Sequence, residues 1–89
     1  MELRNIPVQM LSVCGADGKM LPIRFRFEDE EHLMQTVSID RVLSSNEVRY
    51  VGIEAVVFLC RAALGAKERL FELRYTLRTH RWVLLRVIY

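Results

Sequence analysis

The side chains in this sequence best suited to chemistry are its arginines. Apart from Lys19 and Lys67, all 13 basic residues are Arg. A guanidinium meets phosphate or carboxylate with two parallel hydrogen bonds, which an ammonium does not do. In Pro22-Ile23-Arg24-Phe25-Arg26-Phe27 the two arginines are spaced by two, so an extended strand puts both on one face, opposite the phenylalanines. Arg74 and Arg86 occupy outward positions on the last predicted hairpin, with Trp82 nearby. Arginine beside an exposed aromatic lets a β surface take single-stranded nucleic acid, the ring stacking a base and the guanidinium meeting phosphate. There is a plainer reading of the same residues. Trp82 would cover a second core, Arg86 would pair with Glu72, and the Arg excess would reflect codon composition. A net charge of +2 is no strong electrostatic footprint.

Other reactive residues lack the spacing that chemistry needs. Soft metal ligands are confined to Cys14, Cys60, His32 and His80, which are not paired at zinc-site intervals. Glu28-Asp29-Glu30-Glu31 lacks the spaced acids and turn glycine of a calcium loop, and reads as a solvated acidic turn. Ser12, Ser38, Ser44 and Ser45 have no nucleophile-elbow flanks, and the isolated glycines form no phosphate cradle. The two cysteines read as buried free thiols of a reducing compartment. The expectation is a non-enzyme with no metal and no cofactor.

The elements that would position the arginines read as short antiparallel strands. A first strand spans about Val8 to Cys14, and Asp17-Gly18 signals a two-residue hairpin turn. In the second strand Leu21, Ile23, Phe25 and Phe27 face in, while Pro22, Arg24 and Arg26 face out. A third strand runs from Leu33 to Leu43 with Val37, Ile39 and Val42 inward, and Ser44-Ser45-Asn46 ends it. Glu47 to Glu54 is hard to read, but Gly52 asks for a bend. Ala55 to Ala62 is a buried strand, and Leu64-Gly65-Ala66-Lys67 a turn. In the last hairpin Phe71, Leu73 and Tyr75 face in. A three-residue loop, Arg78-Thr79-His80, would set Tyr75 opposite Val83, Leu73 opposite Leu85 and Glu72 opposite Arg86, with Val83, Leu85, Val87 and Tyr89 inward. His80 would close that loop in the left-handed conformation, which gives it a structural role. The fold expected is all-β: one domain over 1–89 of about six antiparallel strands, as a small partly closed barrel or meander sheet. The alternative is α+β with a helix in 54–77, because that stretch is rich in Ala, Leu, Glu and Arg.

With 89 residues and 52% hydrophobic content, the chain is too short for two typical domains and too apolar for disorder. Its longest apolar run, Ala55 to Cys60, stops at Arg61, far short of a span of ~20 residues. Glu2, Arg4, Asn5 and Gln9 interrupt any secretory signal core. These features point to a soluble cytoplasmic domain without membrane contact.

Both ends of the chain resemble a small bacterial domain of unknown function, found beside Y-family translesion DNA polymerases and in stand-alone form. The front likeness lies in Pro22-Ile23-Arg24-Phe25-Arg26-Phe27 with Val37-Ser38-Ile39. At the back, Phe71-Glu72-Leu73 and Thr79-His80-Arg81-Trp82-Val83-Leu84 look like its aromatic-Glu-Leu and Thr-Gly-Arg-Trp-x-Leu hairpin, with His80 in place of the glycine. Short uncharacterised Firmicutes proteins look similar. The stretch from Leu43 to Leu64 departs from the pattern. The resemblance implies a compact β domain and an association with DNA metabolism, but no active site.

A domain this small cannot hide all its apolar surface, and exposed apolar patches mark partner surfaces. The leading functional expectation is therefore a non-catalytic interaction module. An outer strip of Leu70, Trp82, Leu84 and Ile88 would be covered by a protein partner or, in an isologous homodimer, by a second copy. The alternative is a nucleic-acid-binding accessory domain using Arg24, Arg26, Arg74, Trp82 and Arg86.

Overall fold

The computed structural model describes residues 3–88; the inward position expected of Tyr89 lies outside them. Six strands follow one another, each antiparallel to the next: β1 (Arg4–Cys14), β2 (Met20–Glu28), β3 (Met34–Tyr50), β4 (Ile53–Leu64), β5 (Lys67–Thr76) and β6 (Arg81–Ile88). β1 also pairs with β6, which closes a six-stranded barrel. The all-β reading holds, and the sheet is closed rather than open. Among the described residues there is no helix, so the helix considered for 54–77 is corrected. β-Branched and aromatic residues in that stretch suit a pleated, half-buried surface, and the tight Gly65-Ala66 turn (Gly65 φ 64°) folds β5 back on β4.

The barrel is flattened because two long strands serve both of its walls. β1 pairs with β6 through Arg4–Val8 and with β2 through Gln9–Cys14. β3 pairs with β2 only through Met34–Ser38, and with β4 from Ile39 to Tyr50. Extra residues in β3, marked by register shifts at Ile39/Arg41 and Val42/Ser44, bend the strand where it passes from one wall to the other. Phe25, Phe27, Val37, Phe58, Cys60, Phe71, Leu73, Tyr75, Trp82 and Leu84 fill the interior. Phe25 and Phe71 meet edge to face at 5.5 Å between ring centroids, an arrangement that aromatic quadrupoles favour.

Several local expectations are corrected by turn chemistry and bulges. Gly18 alone has positive φ (83°) in the first hairpin. The turn is a three-residue loop, Ala16-Asp17-Gly18, framed by the hydrogen bond from Gly15 N–H to the Lys19 carbonyl. On β2 the register shifts opposite Leu11/Ser12, so Pro22 turns inward and Leu21 outward. β3 does not stop at Ser44-Ser45-Asn46 but continues to Tyr50, and the bend asked for by Gly52 is a two-residue turn, Val51-Gly52.

The last hairpin slips in the same way. Its loop has four residues, so Thr76 faces Arg81 and Tyr75 faces Trp82. A bulge at Leu85, reported by the shift between Glu72 and Leu73, then restores Glu72 opposite Arg86. A one-residue slip turns every side chain to the other face. Trp82 and Leu84 are therefore interior, Val83 and Leu85 lie on the outside, and Val87 is inward as expected. His80 closes the loop at φ 57°, as expected, with Nδ1 2.8 Å from the Tyr75 hydroxyl.

Candidate interaction surface

The residues expected to bind are divided by the barrel. β2 and β5 are three strands apart in a ring of six, so their outward side chains point from opposite walls. Arg24 and Arg26 are exposed on the β2 wall. Arg74 is half-buried on the outside of β5. Arg86, on β6, is held by Glu72 through an Nε–Oε1 ion pair of 3.3 Å. Trp82 and Leu84 are 7% and 0% exposed, so neither belongs to a surface. Trp82 packs between Phe58 and Tyr75, at 5.4 and 5.0 Å between ring centroids. The strip of Leu70, Trp82, Leu84 and Ile88 is thus not an outer patch.

The reactive groups are equally separated. Cys60 is buried in the core, where burial pushes its thiol pKa up to about 12. Cys14, expected to be buried, is exposed: it continues the alternation of half-buried Ile6, Val8, Met10 and Ser12 but is the last residue of β1, beside the hairpin turn. His32 pairs with Glu28 (2.8 Å) and His80 with Tyr75. Asp29 accepts hydrogen bonds from the Glu31 and Leu33 amides and from Gln35 Nε2, and the Gln35 contact leads in holding its carboxyl below the ordinary value. That acidic turn is tied down by its own backbone. Among the described residues no group of acids, histidines and cysteines is arranged to hold a metal, and no helix is long and apolar enough to cross a membrane.

The apolar surplus instead emerges around the β3–β4 hairpin. Every residue from Leu43 to Glu54 is exposed. Tyr50 and Val51 lead, at 74% and 83%. On the outside of the larger wall, Val48, Tyr50, Ile53, Ala55 and Val57 meet Val83 and Leu85 in an open groove of about 540 Å³. Pairing explains the grouping: Val48 faces Ala55, Tyr50 faces Ile53, and Val57 faces Arg74, which faces Val83. Two arginines, Arg74 and Arg81, cross this groove, and no acid lines it. Arg74 Nε is shielded from solvent and has no hydrogen-bond partner among the described residues.

A second opening of about 550 Å³ lies where β2 and β3 part. Gly18, Lys19 and Met20 stand on one side and Ser45, Asn46 and Glu47 on the other, with Phe58 and Tyr75 behind.

Sequence reasoning found Arg74 but missed Val48, Tyr50, Ile53, Val83 and Leu85. The available signal was Tyr-Val-Gly-Ile at 50–53, three large apolar residues around a turn glycine. No protein-family profile, curated protein or solved structure matches this chain.

Proposed function

We propose that this chain is a non-catalytic protein-interaction module, and that its contact surface is the outer groove beside the β3–β4 hairpin. The observation that carries this reading is the concentration of exposed apolar side chains there, around two arginines in a groove whose lining contains no acid. An apolar centre with a few placed polar groups is the usual anatomy of a contact surface. Arg74 fits a carboxylate supplied by the partner, because its shielded Nε–H lacks an acceptor and a charged acceptor makes the stronger bond. The occupant is then an apolar protein segment carrying an acid.

The test is a photo-crosslinking residue placed at Tyr50 and, as control, at Arg24, each exposed to an extract of the producing cells. A protein adduct at position 50 alone, lost when Leu85→Lys fills the groove, is the expected result. No adduct at 50, or equal adducts at both sites, overturns the reading.

A second reading is favoured by one feature. Tyr50 is an exposed ring near Arg74 and Arg81, so base stacking and phosphate contact are available in the groove although Trp82 is buried. The association with DNA metabolism implied by the resemblance belongs to this reading. Anisotropy of labelled single-stranded oligonucleotides at ~50 mM and ~200 mM salt tests it, since phosphate contacts weaken steeply with salt. Absence of binding at the lower salt removes it.

A further inference from the structure

β3 presents an open sheet edge. Among the described residues it pairs with β2 only as far as Ser38, and from Ile39 onward its sole partner is β4. From Ser44 to Tyr50 the register with β4 is unbroken. This run contains no proline, no lysine and no bulge, three of the devices that keep edge strands from pairing with other chains; its two charges, Glu47 and Arg49, are opposite in sign.

The direction of its backbone groups follows from one hydrogen bond. The Glu54 carbonyl accepts from Leu77 N–H at 3.1 Å, so Glu54 turns its backbone toward β5. Arg49, directly across from Glu54, therefore turns its own N–H and C=O away from β4, to the open edge. By alternation Glu47 and Ser45 do the same. Three consecutive outward-facing positions thus read Ser, Glu, Arg.

We infer that this edge pairs antiparallel with the same edge of a second copy, with the two-fold axis at Val48. In that register Glu47 lies opposite Arg49 of the second copy, and Arg49 opposite its Glu47. The outward-facing backbone groups of each pair meet and exchange both hydrogen bonds. Sliding the copy by one hydrogen-bond repeat sets Glu47 against Glu47 in one direction and Arg49 against Arg49 in the other. Like charges directly opposite destabilise a strand pair, so the edge selects one register. Arg49 already holds Glu54 at 2.6 Å, and pairing places it between two carboxylates.

The same register brings Val51 of the second copy alongside Ser45, at the opening lined by Met20 and Phe58. This supplies an occupant for that opening and a use for Val51, a β-branched residue held at φ 49° and presented to solvent. Such strained backbone persists where a contact requires it. Val48 and Tyr50 point to the other side of the strand, so the outer grooves of the two copies become one continuous surface.

This inference rests on the reading of the chain as an interaction module, and specifies its self-association. Light scattering after gel filtration tests it on the full chain and on two charge reversals, Glu47→Arg and Arg49→Glu. The wild type is expected as a dimer and each variant alone as a monomer. An equimolar mixture of the variants is expected to regain a dimer, because an edge with arginine at both positions then meets an edge with glutamate at both. Recovery in the mixture also shows that both variants are folded. A monomeric wild type, variants that remain dimeric, or a mixture that stays monomeric overturns the inference. The groove is read separately: where light scattering overturns the edge pairing, a Tyr50 adduct still keeps the module reading, and a dimer without any groove adduct does the reverse.

Discussion

Val51→Asn should make the isolated domain more stable, although it removes an apolar side chain. Val51 and Gly52 form a two-residue turn with both residues at positive φ, 49° and 78°. Such turns favour Asn-Gly, because asparagine tolerates the left-handed region and a β-branched residue does not. Holding valine there costs about 1–2 kcal/mol of backbone strain. Against this stands the burial lost. The residue is 83% exposed. Full burial of a valine stabilises by about 1.5–3 kcal/mol, so the small covered fraction contributes about 0.3–0.5 kcal/mol. The net gain is about 1 kcal/mol, or roughly 4–8 °C in Tm for a domain of this size. The assay is thermal unfolding by circular dichroism, with urea titration to confirm an unchanged m-value. Both are done in the Glu47→Arg background, so that self-association does not contribute. An unchanged or lower Tm would refute the assignment of strain to this turn.

Four further outcomes are expected. Leu84→Ala, at a fully buried position facing Leu73, should cost about 2–5 kcal/mol, seen as a lower urea midpoint; a loss below about 1 kcal/mol would contradict its interior placement. A maleimide at neutral pH should modify Cys14 in the native protein and Cys60 only after unfolding. The Cys60 thiol stays neutral in the fold up to about 12 but ionises at about 8.5 in the unfolded chain, so the stability it contributes is complete below that lower value and is lost as pH rises across the window. Cys60→Ala should flatten this alkaline slope, and an equal slope in the variant would sink the assignment. Asp29 is displaced the other way: its native pKa lies below 3.8, so its stabilisation is present above the ordinary carboxylate value and disappears as pH falls through the lower native one. The Glu31 and Leu33 amide resonances should titrate with a midpoint below 3.8, and a midpoint at or above it would show that the Gln35 and backbone contacts do not hold.

Much of the fold was legible in the chain because period-two alternation and turn glycines are local signals. Phe25/Phe27, Val37/Ile39 and Phe71/Leu73/Tyr75 announce their strands and their inward faces, and those assignments hold in the barrel. Local chemistry likewise accounts for the acidic turn at Asp29, the bend at Gly52, the left-handed His80 and the Glu72–Arg86 pair. The candidate surface was less legible, for a definite reason. Which face of a strand meets the core depends on register, and register was set by single extra residues at Leu85 and opposite Leu11/Ser12. Nothing in the composition of Arg-Trp-Val-Leu-Leu-Arg-Val says that one residue bulges out. That bulge and the four-residue loop put Trp82 and Leu84 inside, and left Val83 and Leu85 to line the groove. The length of β3 was hidden in the same way. Ser44-Ser45-Asn46 has low β propensity and reads as a strand end, but pairing along β4 supplies the hydrogen bonds that carry the strand to Tyr50. Composition and alternation alone favoured a β domain, with a helix in 54–77 as the alternative, and one with more apolar surface than it can bury. Where that surface emerges, and which strand edge stays open, followed from long-range pairing: closure of the barrel and the bulges that closure requires.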